Sequence, residues 1–432
     1  MTVRRMLALA AAVAATGTAT AAPYAPFDVR AAGMGGTGVA SAKAASAALF
    51  NPAMLSAQRE GDAFQIVLGV GATLADEDEM QDQFDELETT MDALNASIDL
   101  IDTSAIAIDS VNAELANAAN ITAQLSSQLN ALNNDQANVL PGAGFGFGVP
   151  GPKLGVGVFI GGNAQLAVST QIAGNDTNRL DRYVALLGDG QVDAGEVTAN
   201  PDLFVNTIGG SDEVEFATDI NGEFDAQSTA RALGVAIAEA GIAFSHRFEL
   251  ASGGRLSAGV TPKAVEILTY DYVADADNFE ADDLELTERT DSAFDMDIGV
   301  VYKTAADSDW QYALVAKNLV GGDYRTAAGA NIEIATQVRA GVARTTKRTT
   351  LALDLDLTEN SGTTRDDVTQ FLGFGAEYDL KYLQLRAGYR ANLASSDIAD
   401  VATVGLGLGP IDISAQAADG TVGAFLQLGF GW

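Results

Sequence analysis

From about residue 140 onward this chain alternates apolar and non-apolar side chains, a pattern that few folds accept at such length. Leu351, Leu353, Leu355 and Leu357 alternate with Ala352, Asp354, Asp356 and Thr358. Leu383, Leu385, Ala387, Tyr389, Ala391 and Leu393 alternate with Gln384, Arg386, Gly388, Arg390 and Asn392. Phe294, Met296, Ile298, Val300 and Tyr302 face away from Asp295, Asp297 and Gly299, while Val404, Leu406 and Leu408, like Phe145, Phe147 and Val149, alternate with glycine. Successive side chains of a strand point to opposite faces, so every run has one apolar face and one polar or small face. A water-soluble β-sandwich alternates too. These runs extend about ten residues or more, whereas soluble strands average about five or six, and a tilted strand of ten spans a bilayer. The expectation is an all-β fold, a transmembrane antiparallel β-barrel.

The first residues give the destination. Arg4 and Arg5 precede an apolar run from Met6 to about Ala15, followed by small residues up to Ala22. A charged start, a short apolar core and a small-residue cleavage site make a secretory signal peptide, expected to span 1–21 with the cut before Ala22. No later window of about 18 apolar residues can form a membrane-spanning helix. An exported chain that stays in a membrane without such a helix is expected in the outer membrane of a Gram-negative bacterium.

Strands are expected near 62–74, 143–150, 154–172, 230–249, 255–273, 289–303, 309–320, 332–345, 349–358, 368–378, 381–393, 400–409, 411–418 and 421–432. That makes fourteen, an even number, as a bacterial single-chain barrel requires. Loop length is an independent check. The long connections, 75–142, 173–229 and 274–288, follow the first, third and fifth strands, and connections after even strands are short. Short periplasmic turns and long external loops are what such a barrel carries. The domain reading is 22–60 as an N-terminal plug and 61–432 as the barrel, with a helical hairpin at 75–140 and a long acidic extracellular loop at 173–229.

Composition sharpens this layout. Of 432 residues, 58 are acidic and 24 basic, yet 47% are hydrophobic. Residues 73–140 hold fourteen acidic side chains and no basic one, 173–229 hold twelve against two, and 275–288 hold seven against none. The acidity therefore belongs to the expected outer loops, where it would attract divalent cations at a lipopolysaccharide surface or repel anionic solutes. Nucleic acid is not an expected partner, because binding its phosphates needs clustered Lys and Arg. Zero cysteines exclude disulfides, thiolate metal sites and thiol chemistry, and the lone His246 excludes a multi-histidine metal site.

Residues 73–140 also lack Gly and Pro. Met80, Phe84, Leu87, Met91, Leu94, Ile98 and Ile101 step by four and three, a heptad seam. A second stretch carries Ile108, Val111, Leu115, Ala118, Ile121, Leu125, Leu129 and Leu132. The pair reads as an αα-hairpin with a break near 102–104. It either packs on itself and on the barrel mouth or, over 76–135, offers a coiled-coil surface to an envelope protein.

Residues 28–40, Asp-Val-Arg-Ala-Ala-Gly-Met-Gly-Gly-Thr-Gly-Val-Ala, followed by Ala47-Ala48-Leu49-Phe50-Asn51-Pro52-Ala53-Met54-Leu55, resemble the N-terminus of FadL-like outer-membrane proteins. Those proteins open with R-A-x-G-M-G-G-A and N-P-A-G-L elements in a plug inside a fourteen-stranded barrel. This chain departs from them at Lys43-Ala44, where acidic residues are common, and at Met54, where the family has Gly. The helical insert after the first strand is most similar to the branch of conjugal-transfer TraF-type outer-membrane proteins. The resemblance implies a plug motif at Arg30, Gly33, Gly35, Gly36, Asn51, Pro52 and Ala53. The chain end, with Leu428, Phe430 and Trp432, resembles the signal by which barrel-assembly machinery recognises such proteins. In physical terms, the glycines permit positive φ and close backbone approach, and Asn51-Pro52 marks a turn.

No catalytic constellation emerges, and neither an enzyme activity nor a cofactor is expected. His246 sits near the expected periplasmic end of a strand as an interfacial or lumenal residue. Asp189, Asp193 and Glu196 hint at a calcium loop but fail the EF-hand pattern, with Ala194 at the glycine position and Asn200 at the bidentate glutamate. Arg339, Asp354, Asp356, Gln384, Arg386 and Arg390 are the expected polar lining of the lumen. Two readings follow. One is a plugged channel for a hydrophobic or amphipathic small molecule; the other is a structural component of a conjugal-transfer or envelope apparatus, acting through the helical insert.

Overall fold

The computed structural model describes residues 27–58, 64–76, 78–101, 106–107, 112–207, 213–216, 227–275, 287–329, 331–361, 368–395 and 398–431. The expected signal peptide, most of 275–288 and the terminal Trp432 lie outside these residues.

Fourteen strands close into one antiparallel barrel. In chain order they are β1 Gln65–Ala75, β2 Gln136–Val149, β3 Gly155–Gln171, β4 Thr229–Glu249, β5 Arg255–Asp275, β6 Arg289–Lys303 and β7 Trp310–Lys317. They continue with β8 Gln337–Thr345, β9 Thr349–Asp356, β10 Phe371–Asp379, β11 Leu383–Asn392, β12 Val401–Leu408, β13 Ile411–Ala418 and β14 Thr421–Gly431. Each strand pairs with its chain neighbours, and β1 closes on β14 from Gln65↔Gly431 to Ala75↔Thr421. Closure leaves no strand edge unpaired, which hydrocarbon would penalise heavily.

The two faces sort as the alternation requires. Leu68, Val70, Ile242, Phe244, Leu351, Leu353, Leu426, Leu428 and Phe430 point outward and are exposed. Asp354, Asp356, Arg339 and Arg386 alternate with such residues and are buried inside. Tyr302, Trp310, Tyr312, Tyr378 and Tyr382 stand exposed near the rim of short turns, the aromatic level at which a bilayer meets water. Arg344 lies 5.8 Å from the ring centre of Trp310 and Lys381 5.0 Å from that of Tyr382. His246 also faces outward there, bonded through Nδ1 to the Lys153 carbonyl at 2.5 Å; its position is interfacial, not lumenal.

Connections after odd strands all leave one rim and those after even strands the other, so the strand ends flanking all three acidic segments lie at one rim. Two of them build a single cap. α4 Met80–Ile98 and α5 Ala113–Ala131 form the hairpin, and α6 Gly174–Leu187 packs on α5. Leu115, Ala118 and Ala119 share a core with Leu186, Leu187, Val192, Val197, Leu203 and Phe204. A short strand, Ile106–Ala107, pairs with Glu213–Phe216 of the other loop. Asp76 caps α4 through Met80 N (2.8 Å) and Gln81 N (2.9 Å).

Three expectations need correction. β2 begins at Gln136 and not at 143, so the helical insert ends earlier than 140. Pro141 lies inside this strand, and its missing N–H falls where the β2–β3 ladder is interrupted, between Val139 and Gly142. Residues 331–334 belong to a separate hairpin with Gly322–Arg325 and not to β8. The α4 seam is only half closed, since Thr90, Ser97 and Ile101 are buried while Met91 and Ile98 are not.

Candidate functional site: the lumenal plug and its seat

Residues 27–58 lie inside the barrel, in the half nearer the short turns. Three short helices, α1 Val29–Ala32, α2 Ala44–Phe50 and α3 Met54–Ala57, fold this segment into a plug that is almost wholly buried. Asp28 caps α1, accepting from Ala31 N at 2.7 Å. Asn51 Oδ1 accepts from Ala53 N at 3.0 Å, and Asn51 Nδ2 donates to Val39 O at 3.1 Å. That one side chain closes the turn before α3 and ties it back to the glycine-rich loop.

The glycines of the motif divide into two kinds. Gly35 and Gly36 have positive φ, 66° and 77°, a region costly for other L-residues. Gly33 and Gly38 do not; they make room. A Cβ at Gly33 would stand 3.0 Å from Gly405 Cα, and one at Gly38 would strike the Phe50 ring at 2.2 Å. The wall carries matching glycines at inward positions. A Cβ at Gly148 would meet Ala44 O at 2.0 Å, at Gly388 Gly35 N at 2.2 Å, and at Gly299 Asn51 Oδ1 at 2.0 Å. The inward glycines of the alternating strands are thus the mould of the plug.

Polar contacts hold the plug in this mould. Arg30 makes a two-pronged ion pair with Glu377 (2.8 and 3.0 Å) and donates to Ser41 O at 2.9 Å. Arg386 donates to Glu377 at 2.7 Å and to Asp412 at 2.5 Å. Asp354 Oδ2 accepts from the backbone N–H of Gly38 (2.7 Å) and Val39 (2.9 Å). Lys317 Nζ donates to Leu49 O at 3.1 Å, Thr403 Oγ1 accepts from Gly35 N at 2.9 Å, and Gln311 Nε2 donates to Ala40 O.

All six residues expected to line the lumen face it, but most hold structure. Asp354 and Arg386 bind or brace the plug. Arg339 pairs with Asp356 (2.5 and 2.9 Å), which also accepts from Phe371 N at 2.9 Å. Arg390 lies over the Phe371 ring at 4.7 Å. Gln384 lines a cavity of about 640 Å³ between the plug and the short turns, with Lys43, Gln58, Lys303, Lys347 and Arg348. Glu377, Lys317, Gln311 and Thr403 were missed by sequence reasoning. Their only signal was a polar residue at an inward-facing position.

On the outer side of the plug part of the lumen wall is apolar. Leu233, Val235 and Ile237 of β4 and Val265 and Ile267 of β5 are covered by Ile332, Ile334 and Tyr324 of the 322–334 hairpin. Asp271, paired with Arg231 at 2.7 and 2.8 Å, accepts from Thr326 Oγ1 at 2.7 Å and pins that hairpin. Below it Lys263 joins Glu239 (2.7 Å), Asp297 (2.9 Å) and Asn318 (2.6 Å).

The Asp189–Glu196 loop has another use. Asp193 and Glu196 form a reciprocal capping box on α7 Ala194–Ala199, at 2.7 and 2.8 Å. Asp189 accepts from Gln191 N at 3.0 Å. Among the described residues, no group of three or more His, Asp or Glu stands close enough to hold a metal ion. In the same loop Arg182 holds the Asp202 carboxyl down at about 2 through paired hydrogen bonds of 2.6 and 2.7 Å.

A closed barrel, apolar outside and filled inside by its own N-terminal segment, defines a plugged outer-membrane β-barrel, the architecture that the FadL-like resemblance implies. The chain belongs to the family described as F plasmid transfer operon, TraF, protein, whose model matches residues 48–356. No curated protein matches the chain. Solved structures similar to it include a deletion mutant of the monoaromatic hydrocarbon channel TodX, with 11% identity over 94% of this chain and 99% of that one, at a TM-score of 0.48. The Ralstonia pickettii toluene transporter TbuX has 12% identity over 95% and 99%, at 0.46. A Pseudomonas aeruginosa FadL homologue has 11% identity over 96% and 99%, at 0.42.

Proposed function

We propose that the chain is an outer-membrane channel, closed by its plug, that admits a small hydrophobic or amphipathic molecule. The observation that carries this reading is the stacking of two zones in one lumen. An apolar surface built by Leu233, Val235, Ile237, Val265 and Ile267 lies outward of a plug that no disulfide holds to the wall. A solute would enter at the capped rim, replace Ile332 and Ile334 on that surface, and pass when the plug loosens, leaving through the cavity at the opposite rim. Concave, mostly apolar sites with a few fixed polar groups are the usual form of small-molecule sites. Export through a cleaved leader at 1–21 and insertion by the barrel-assembly machinery belong to the same proposal. Liposome uptake of a labelled fatty acid, with the whole chain and with residues 28–55 deleted, tests it: faster uptake without the plug is expected, and no flux in either form refutes the channel.

A second reading is favoured by the family description, which names a plasmid transfer operon, and by the folded cap. In it the insert at 76–135 contacts an envelope partner. Deleting 76–135 should then remove partner capture while the barrel keeps its heat-modifiable migration on gels.

A further inference from the structure

The α4 helix carries a coiled-coil seam of which only half is used. On one side of the seam Leu94 packs on the cap core, Ile101 just beyond the helix end is buried in it, and Leu87 is half-buried. The companion row, Phe84, Met91 and Ile98, lies one helical step round. Met91 is 48% exposed and Ile98 39%, while Phe84 at the start of the row is half-buried. Rows spaced three and four residues apart on a helix form one continuous apolar stripe, and knobs-into-holes packing consumes both.

The borders of the open row are acidic. Glu88 and Asn95 flank it directly, and Asp85, Asp92 and Asp99 repeat at seven-residue intervals beyond, all exposed. Residues 76–135 contain no Lys or Arg at all. A second copy of this surface would bring like charges together along the whole contact, which disfavours self-association.

We infer that the Phe84–Met91–Ile98 row of α4 docks a basic amphipathic helix of a partner protein outside the barrel, Lys or Arg on that helix facing Glu88, Asp85, Asp92 and Asp99. The helix would complete a three-helix packing with α4 and α5. Apolar contact supplies affinity, and the acidic border supplies orientation and rejects acidic helices. The inference rests on the second reading above, and because this surface lies outside the lumen it stands independently of the channel.

The test uses the full chain in phosphatidylcholine nanodiscs, with empty nanodiscs as the blank. The probe is a fluorescent 21-residue peptide with Leu at its seam positions and Lys beside them, read by anisotropy at physiological salt. Two further peptides serve as controls: one of identical composition broken by central prolines, and one with Glu for Lys. The Lys helix is expected to bind at least tenfold more tightly than either. Met91→Asn with Ile98→Asn, at positions already exposed, should lose at least tenfold while heat-modifiable migration stays unchanged. Asp85→Asn with Asp92→Asn and Asp99→Asn should flatten the salt dependence. Equal binding of the proline-broken peptide, or an unaltered affinity in the Met91/Ile98 variant, overturns the inference, as does no binding of the Lys helix.

Discussion

Replacing Glu377 by Gln should loosen the plug while leaving the barrel intact. Glu377 is the shared acceptor of Arg30 from the plug and Arg386 from the wall, and both pairs are buried. Arg386 keeps Asp412, at 2.5 Å, but Arg30 keeps only the Ser41 carbonyl, within the plug itself. Removing one partner of a buried pair costs about 3–5 kcal/mol, because the other charge is stranded away from water. That corresponds to a rise in the undocked population of roughly a hundredfold to a few thousandfold. Amide hydrogen exchange reads the population directly, since protection reports the free energy of local opening. Amides of residues 29–57 should lose that factor in E377Q while those of β9 to β12 stay as they were. Replacing Arg30 and Glu377 together by Met leaves no stranded Arg30 cation, and exchanging a buried pair for apolar residues is often near neutral, so R30M/E377M should recover most of the protection. A change below tenfold in E377Q, or a double variant worse than the single, refutes the view that this cluster latches the plug.

Three more expectations follow from the same geometry. Gly388→Val sets a side chain 2.2 Å from the backbone of Gly35, where neither strand nor plug backbone can yield. Such overpacking costs about 1–3 kcal/mol, so plug amides should exchange faster and uptake of a labelled amphiphile should rise, with gel migration unchanged. The Arg182–Asp202 pair is about half exposed, with side chains at 41% and 60%. Because the folded carboxyl sits at about 2, below its ordinary value, its contribution is fully present above about pH 4 and lost as pH falls through 2. Solvent screening holds it under about 1 kcal/mol, so D202N should shift cap melting only slightly at pH 7 and not at all at the acid limit. The acidic outer rim should favour entry of cationic over anionic analogues of one amphiphile at 10 mM salt. That preference should fade by 300 mM, as the screening length falls from about 30 Å to below 8 Å; a salt-independent ratio contradicts a role for the rim charge.

The alternation of Leu351 to Leu357 and of Leu383 to Leu393 placed strands, faces and loop parity correctly, because a barrel wall imposes period two on every residue it contains. Local signals were less dependable. The start of β2 reads as 143, yet the strand runs from Gln136, with Pro141 at a gap in its ladder. Residues 331–334 read as part of β8, since Ile332 and Ile334 alternate as any strand does, although they pair with 322–325 inside the mouth. The inward glycines were visible as a pattern, but their purpose was not. That Gly148 exists for the Ala44 carbonyl is a fact about two segments a hundred residues apart. The same distance hid Glu377 and Lys317, whose partners Arg30 and Leu49 no spacing rule connects to them.

The plug is also a constraint on how the molecule can be built. Its backbone N–H at Val29 donates to Gln427, 398 positions later, and β1 can pair with β14 only when the last strand has arrived. Only a short stretch separates Ala57 from Gln65, so the plug cannot travel far from the strand that follows it. Contacts this distant in sequence are slow to form. Sealing the cylinder and seating its contents therefore become a single late event. A chain arrested before β10 would lack Glu377, Arg386, Thr403 and Gln427, and would hold a plug with half its seat missing.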